Sequence, residues 1–417
     1  AMDRACQLIE ELGAGTVVGG AIDYYPVKKE PFTIPYSVEK INALLGTDIS
    51  EDEMVGYFEK IDLPVDREKK EVFIPTWRQD LERLADLAEE VARFYGYDKI
   101  PMTLPSSSAT MGGLSDKLIL ENKVRNVVEA YGFCEGMTYS FESPKVYDKL
   151  NLAQNDVLRK SIVISNPLGE DYSVMRTSAL GGMLTSLATN YNRRNKDVRL
   201  YELANVYLPK QLPLTELPDE RVQLTMGMYG EGDFYAMKGV IEEILTRLSL
   251  KGTVTYDPAA QKSFLHPGRQ AKVIYEGKEI AYFGEVHPTV LKNFAIGQRA
   301  YVAVVDLAEL IAMPKEAVKY TGVAKFPAMT RDISLMMKKE LLAGQVEEVI
   351  RKKGGALVES YELFDVYEGA QIQEGYKSLA YKIVFRAKDR TLTDEEVTNA
   401  MNKIITTLEE MGASLRK

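Results

Sequence analysis

Residues 75–101 read PTWRQDLERLADLAEEVARFYGYDKIP, a segment bounded by Pro75 and Pro101. Neither proline fits the interior of a regular helix, because proline lacks the N–H that the helix needs. Between them, large apolar residues recur at steps of three and four, which predicts a helix of about four turns with one buried stripe. The stripe consists of Leu81, Leu84, Leu87, Val91 and Phe94. Gly96 is expected to end this helix.

The same segment carries four carboxylates. Asp86, Glu89 and Glu90 follow the spacing i, i+3 and i+4, which places them on one face of the helix, and Asp80 lies just before it. One interpretation is a solvated acidic face on which Arg83 and Arg93 form ion pairs; the spacing alone favours it. The other is an oxygen-ligand site for a hard divalent cation such as magnesium. Zinc is disfavoured because neither cysteine nor histidine lies nearby.

The pattern R-x-D-L-x(4)-D-L-x-E-E-V-x-R-x-Y-G-Y-x-x-I-P, residues 78–101, resembles the signature of the B5 domain in the beta subunits of bacterial phenylalanyl-tRNA synthetases. In that family the matching carboxylates bind magnesium at a site shared with the alpha subunit. The resemblance therefore implies Mg²⁺ ligands at Asp80, Asp86, Glu89 and Glu90, and it favours the metal interpretation.

Composition sets limits on the function. The chain has 417 residues, 45% of them apolar and 27% charged, which predicts two to four domains with sizeable cores. A net charge of −9 means that any contact with nucleic acid must come from a local patch. Cys6 and Cys134 form no CxxC pair, which favours a reducing compartment, and we expect a cytoplasmic protein. No apolar run reaches the length of a membrane span, so no membrane partner is expected.

The first residues have no signal-peptide pattern. Instead, the chain opens within a helical apolar stripe, which suggests a piece of a longer protein. A glycine-rich run at residues 13–20 follows and is expected to lead into a short strand.

Residues 27–105 form the first complete module. Ser37 and Ser50 are placed to cap two short helices, with Glu53 completing a capping box at the second, and residues 71–75 read as a strand. This pattern predicts a compact winged-helix-like unit. Such units bind DNA in other proteins, but the exposed faces here are acidic, so a packing role is favoured and no DNA is expected.

Residues 106–318 form the second module. A helix at 114–131 is followed by strand-like runs at 136–141, 161–165, 197–208, 222–229, 270–275 and 302–306, with helices at 180–192 and 233–248. This order predicts an antiparallel sheet with flanking helices.

Three segments of this module resemble the pseudo-catalytic domain of the same family: ISNPLGEDYSVMRTSALGGMLTSLATNYNRRNKDVRLYELANVY, DFYAMKGVIEEIL and LHPGRQAKVIYEGKEIAYFGEVHP. That domain has the class II synthetase fold without its chemistry. Class II catalysis uses an arginine that clamps the ATP phosphates, a glutamate two residues later, and a second arginine at a glycine-rich strand–helix junction. Arg176 is followed by Thr177 and Ser178, and the junction at 227–239 has no arginine. We therefore expect no catalytic residue in this chain and no bound ATP.

Other candidates in this module are weaker. His266 and His287 each precede a proline; a triad with Ser263 lacks any supporting motif, so turn positions are favoured. Cys134 is expected to be structural. The basic run NRRNK at 192–196 is either a solvated loop or an RNA contact.

Residues 319–417 form the third module. Strands at 331–337, 357–367, 379–386 and 413–416 alternate with helices at 343–353 and from 393, giving the order βαββαβ of the ferredoxin-like fold. The segments KFPAMTRDIS, LFDVYEGAQIQEGYKSLAYKIVFRAKDRTLTDEEV and GASLR resemble the ferredoxin-fold anticodon-binding domain of the same family.

Six basic residues of this module are candidates for contacts with tRNA phosphates: Lys325, Arg331, Lys377, Arg386, Lys388 and Arg390. Phe326, Phe364 and Tyr367 are candidates for stacking on unpaired bases. For Phe364 a core position is favoured.

The expected fold class is thus α+β and multidomain: a winged-helix-like B5 module at 27–105, a class II synthetase-like antiparallel sheet at 106–318 and a ferredoxin-like domain at 319–417. Residues 1–26 match the last helix and strand of the family's B3/B4 domain, so no editing residue is carried over. The resemblance implies a non-catalytic part of phenylalanine–tRNA ligase that scaffolds the catalytic alpha subunit in an alpha2beta2 tetramer and binds tRNA(Phe) for ATP-dependent aminoacylation. The residues alone leave open a nucleic-acid-binding module without a synthetase partner and a freestanding ATP-dependent ligase.

Overall fold

A computed structural model describes residues 2–105, 107–108, 111–250, 252–369 and 372–416. Residues 1, 106 and 417, at which expected modules begin or end, lie outside this part. The chain divides into two compact units, Ala1–Met111 and Gly112–Lys417. Among the described residues, no helix combines the length and the apolar character needed to cross a bilayer.

The first unit contains four helices and a small antiparallel sheet among its described residues. The elements are α1 (Met2–Glu11), β1 (Phe32–Pro35), α2 (Val38–Leu45), α3 (Glu51–Glu59), β2 (Val65–Asp66), β3 (Glu71–Ile74) and α4 (Leu84–Tyr95). The strand order is β1-β3-β2. The expected stripe of α4 is confirmed for Leu87 and Val91, which are fully buried in the same core as Ile41 and Phe58. Leu81, which was expected on this helix, is also buried but lies before the helix begins at Leu84.

The two helix caps predicted at Ser37 and Ser50 are present, but the predicted hydrogen bond of Glu53 is not. Ser37 accepts a hydrogen bond from the backbone of Lys40, and Ser50 accepts one from Glu53. The expected capping box at Ser50 is wrong, because the Glu53 carboxylate instead accepts from the Tyr57 hydroxyl at 2.5 Å.

The short strand expected near the start of the chain is also wrong. Residues 12–31 form no strand, and Val18 and Ile22 are 90% and 99% exposed. No described residue of α1 is buried either. Within this unit the segment has neither a pairing strand nor an apolar surface to cover its side chains.

The second unit begins with a large sheet and its helices. The elements are α5 (Asp116–Ala130), β4 (Cys134–Glu135), β5 (Phe141–Glu142), α6 (Val146–Lys149), β6 (Val174–Met175), α7 (Leu180–Asn192), β7 (Val198–Leu208), β8 (Asp219–Tyr229), α8 (Phe234–Arg247), β9 (Val254–Asp257), β10 (Leu265–Tyr275), β11 (Lys278–Val286), α9 (Pro288–Asn293), β12 (Ala300–Val305) and α10 (Leu307–Ala312). The sheet order is β4-β7-β8-β12-β11-β10-β9, and its pairs are antiparallel except β4 with β7.

Helices cover both faces of this sheet. Along β12, alternate residues point to opposite sides, with Ala303 in a core shared with α5, α8 and α10, and Val302 in a core shared with α6, α7 and α9. The expected sheet with flanking helices is confirmed.

Two of the expected strands are wrong. At 136–141 only Phe141 joins a strand, because the backbone N–H of Thr138 donates to the Glu202 carboxylate instead of a neighbouring strand. At 161–165 the only pairing is an isolated bridge between Val163 and Val174.

The second unit ends in the βαββαβ module that the sequence predicts. Its elements are β13 (Met329–Lys338), α11 (Ala343–Gly354), β14 (Val358–Tyr367), β15 (Tyr376–Phe385), α12 (Asp394–Glu410) and β16 (Ser414–Leu415). The antiparallel order is β14-β15-β13-β16, and Tyr381 and Ile383 of β15 are fully buried beneath the helices. The expected α+β, multidomain fold is therefore confirmed.

Candidate functional sites

The acidic cluster, defined as Asp80, Asp86, Glu89 and Glu90, lies at and before the start of α4. Asp86 has a local task, because its carboxylate accepts from the backbone N–H groups of Glu82 at 2.8 Å and Arg83 at 2.9 Å. These donors precede the first turn and have no partner within the helix, so Asp86 stabilises the helix start.

Arg78 joins two other members of the acidic cluster. Its guanidinium donates to Asp80 at 2.6 Å and to Glu90 at 3.1 Å. Arg93 donates to the second oxygen of Glu90 at 2.5 Å. Glu90 is only 8% exposed, so its charge depends on these two arginines for compensation. The hydrogen bond from Arg78 lowers the pKa of Asp80.

The acidic cluster as placed does not form a metal-ligand set. Among the described residues, no three or more Asp, Glu, His or Cys side chains lie together as a cation would require. Glu89 is exposed and forms no ion pair with another described residue. The ion pairs expected of an acidic face are present, from Arg93 to Glu90 and from Arg83 to Asp86 at 3.8 Å. The sequence did not predict that Arg78 joins Asp80 to Glu90, although Arg78 is the first residue of the B5 pattern.

The six basic candidates of the ferredoxin-like module differ in availability. Lys325 and Lys388 are exposed and form no ion pair with another described residue. Arg331 and Arg390 are paired at 2.5 Å with acidic residues of the first turn of α12, Asp394 and Glu396.

The two remaining basic candidates are also engaged. Arg386 donates to Glu359 at 2.9 Å and to the carbonyl of Phe326 at 2.5 Å. Lys377 donates to the carbonyl of Lys339 at 3.1 Å, and burial lowers its pKa. Lys325 and Lys388 are therefore the cations most available to a phosphate.

The expectation that Phe364 belongs to the core is wrong. Its side chain is 53% exposed on the edge strand β14. The pairing of β14 with β15 shifts register between Leu363 and Asp365, and such a bulge redirects the extra residue. Tyr367 is half-buried and lies under the Arg416 guanidinium, 5.3 Å from its ring centroid.

A buried ion pair occupies the middle of the second module. The Arg176 Nη1 donates to Glu202 at 2.9 Å and to the Thr138 hydroxyl at 3.1 Å, while Nε donates to the carbonyl of Asn205 at 2.8 Å. Arg176 and Glu202 are 5% and 4% exposed. The sequence motif directed attention to an acid at position 178 and not to Glu202, whose signal is an acidic side chain in the otherwise largely apolar strand β7.

A cavity of about 440 Å³ lies beside this ion pair. Its wall includes Thr138, Glu142, Arg176, Gly181 and Gly182. Burial raises the pKa of Glu142 to about 8, although Arg176 acts in the opposite direction. This "Glu142 cavity" was not foreseen from the sequence.

The two histidines of this module have structural roles. The Nδ1 atom of His266 accepts from the Gly268 N–H, and that of His287 accepts from the Thr289 N–H, both at 3.1 Å. The interpretation as turn residues is confirmed. The basic run at 192–196 is exposed between α7 and β7, and Cys134 is a free, exposed cysteine on β4.

Three family models match the chain in order. The tRNA synthetase B5 domain matches residues 34–97, the phenylalanyl tRNA synthetase beta chain CLM domain matches 100–307, and the ferredoxin-fold anticodon binding domain matches 324–416. The chain is also 41% identical to the phenylalanine–tRNA ligase beta subunit of Clostridium acetobutylicum over 419 residues, and 43% identical to that of Clostridium tetani over 422 residues. Each alignment covers 100% of this chain and 53% of the relative.

This chain belongs to the phenylalanine–tRNA ligase beta-subunit family.

The resemblance inferred from the sequence motifs is thereby confirmed. A beta subunit from Moorella thermoacetica is similar as well, at 38% identity over 427 residues. The chain spans about half the length of these beta-subunit relatives.

Proposed function

We propose that this chain is a non-catalytic part of a phenylalanine–tRNA ligase, which scaffolds a catalytic alpha subunit and binds tRNA(Phe) for ATP-dependent aminoacylation. The observation that carries the proposal is the ordered succession of B5, CLM and anticodon-binding matches in one chain. The proposal includes an alpha2beta2 assembly, a cytoplasmic location and modules at 1–26, 27–105, 106–318 and 319–417.

The environment of Arg176 supports the non-catalytic assignment. A phosphate clamp needs guanidinium donors that face the substrate. Here Nη1 and Nε are engaged by Glu202, Thr138 and Asn205, and the side chain is buried. ATP would therefore be bound by the alpha subunit rather than by this chain.

Exposed groups of the ferredoxin-like module support a tRNA contact. Lys325 and Lys388 offer cations that are unpaired among the described residues, and Phe364 offers an exposed ring on which an unpaired base can stack. The other four basic candidates, Arg331, Lys377, Arg386 and Arg390, would first have to leave their present partners.

From the family resemblance we also propose a magnesium site at Asp80, Asp86, Glu89 and Glu90. In the present arrangement these residues form no ligand set, because Arg78 bridges Asp80 and Glu90 and Asp86 caps α4, so they would have to leave these partners in the assembled protein. The magnesium part of the proposal is tested by assembly with the alpha subunit in EDTA and in magnesium. Asp86→Ala should weaken magnesium-supported assembly, and equal assembly of both proteins under both conditions would count against the site.

Co-expression with the alpha subunit tests the main proposal. The two chains should co-purify, and the complex should retain tRNA(Phe) on a native gel. A nucleic-acid-binding module without a synthetase partner would bind tRNA but fail to retain the alpha subunit. A freestanding ligase would aminoacylate tRNA without it.

A further inference from the structure

We propose that the Glu142 cavity binds a small organic cation that carries a primary ammonium group, with Glu142 as its counter-ion. The proposal goes beyond the function proposed above and does not depend on it. It rests on the charge balance, shape and lining of the cavity.

One carboxyl group of the cavity wall has no polar partner among the described residues. Glu142 is half-buried, and it forms no hydrogen bond or ion pair with another described residue. Arg176 also lines the cavity, but its Nη1 and Nε atoms are engaged by Glu202, Thr138 and Asn205. A shielded carboxylate without a hydrogen-bond donor is costly, so a ligand that supplies one is favoured.

Among the other charged residues that line the cavity, the basic ones already have contacts, whereas one further acidic residue has none among the described residues. Lys145 is paired with Glu170 at 3.0 Å, and the Lys149 ammonium lies 5.6 Å from the centre of the Phe294 ring. Asp171 lines the cavity and forms no hydrogen bond or ion pair with another described residue. The acids that stay available therefore favour a cation over an anion.

Two glycines allow α7 to lie close to Glu142. A Cβ atom on Gly181 would overlap the Val146 side chain and lie 3.0 Å from the Glu142 Oε2. A Cβ atom on Gly182 would overlap the Thr138 hydroxyl. Only glycine at both positions lets the start of α7 approach β5 and α6 this closely.

Two tyrosines offer a surface for the organic part of the ligand. Tyr139 and Tyr172 line the cavity with rings 5.6 Å apart in an edge-to-face arrangement, and Tyr139 is 71% exposed. Aromatic faces attract ammonium groups, and a cavity of about 440 Å³ is within the range for small-molecule sites.

Benzylamine and benzyl alcohol, titrated into the full chain at about pH 8.5, where Glu142 is mostly ionised, and followed by ligand-observed NMR, test the proposal. The two probes share a ring and differ in charge. Benzylamine should bind saturably with a Kd on the order of 1 mM, and benzyl alcohol about tenfold or more weaker, because only the ammonium forms a charge-assisted hydrogen bond with Glu142.

Glu142→Gln should abolish this preference, whereas Glu220→Gln, at an exposed position on β8, should keep it. Tyr139→Ala removes an exposed ring without disturbing the core and should weaken benzylamine binding severalfold. Equal binding of the two probes, unchanged benzylamine binding by Glu142→Gln, or no saturable binding at about ten times the expected Kd would overturn the proposal.

Discussion

The Arg176 guanidinium donates to the Glu202 carboxylate at 2.9 Å inside the second module, where neither residue is more than 5% exposed. The Arg176 side chain is therefore part of the internal framework of the second module. Its partner comes from β7, and the same guanidinium holds the Thr138 hydroxyl at 3.1 Å. The pair fixes the loop before β5 against the large sheet.

Arg176→Ala should destabilise the second unit by about 3–5 kcal/mol, because Glu202 would be left buried and uncompensated. Urea unfolding of the full chain, monitored by hydrogen exchange of the β7 amides, measures this loss of stability. The matched control is Lys210→Ala, which breaks an exposed pair with Glu216 and should cost less than about 1 kcal/mol. A similar small loss for both variants would show that the buried pair contributes little.

Arg78→Ala should release Asp80 and Glu90 and make α4 responsive to magnesium. Without Arg78, Asp80 has no other ion-pair partner among the described residues and Glu90 keeps only Arg93, so the first unit should lose about 1–3 kcal/mol and regain part of it when Mg²⁺ is added. The Trp77 fluorescence next to Arg78 follows the unfolding of this unit. Arg67→Ala, which breaks an exposed pair with Asp52, is the control and should show no magnesium response. No added response in Arg78→Ala would argue against a cation site here.

Lys325→Ala and Lys388→Ala should each weaken tRNA(Phe) binding and reduce the slope of log K against log salt by about 0.7–0.9. Both ammonium groups are exposed and unpaired among the described residues, so a phosphate can neutralise them directly. Filter-binding titrations at several salt concentrations, from low to moderate, measure both the affinity and its salt dependence. Lys352→Ala, where the lysine is already paired with Glu348 at 2.6 Å, should have a smaller effect. Equal slopes in all three variants and the unmodified protein would exclude these two lysines from the interface.

Glu142 should make the second unit less stable as the pH rises from about 4.5 to about 8. Its pKa is raised to about 8 when folded, against 4.5 for the unperturbed side chain, so in this range the folded state holds a proton that the unfolded state has released. Stability is therefore lost across this window and changes no further above it, with a total of up to about 5 kcal/mol. The ionisable groups that line the same cavity or act on Glu142 are Arg176, Tyr147, Tyr139, Tyr172, Lys145, Lys149 and Asp171.

Glu142→Gln has no such proton to release, so it should gain stability relative to the unmodified protein as the pH rises. Calorimetric unfolding between pH 5 and pH 8.5 gives the difference between the two proteins, in which the other titrating groups cancel. Glu220→Gln should run parallel to the unmodified protein. A constant difference between Glu142→Gln and the unmodified protein would mean that Glu142 has an ordinary pKa.

The features that local periodicity encodes were predicted well. The stripe of α4 and the alternation of Tyr381 and Ile383 in β15 follow directly from side-chain spacing, and both are buried as expected. Caps such as Ser37 were predictable for the same reason, since donor and acceptor lie three residues apart.

The sites were harder to predict because their partners come from distant parts of the chain. Glu202 lies 26 residues from Arg176, and Arg78 reaches Glu90 across 12 residues. No rule of local sequence spacing predicts either ion pair. The outward position of Phe364 depends on a bulge, whose single extra residue reverses the side-chain alternation.

The most direct test of the central claim is phenylalanine-dependent exchange of pyrophosphate into ATP, measured with the purified chain alone and again with the alpha subunit. The chain alone should show no exchange above background, and addition of the alpha subunit should restore it. Exchange by the isolated chain, lost in Arg176→Ala, would place the bond-making chemistry in this polypeptide and contradict the account.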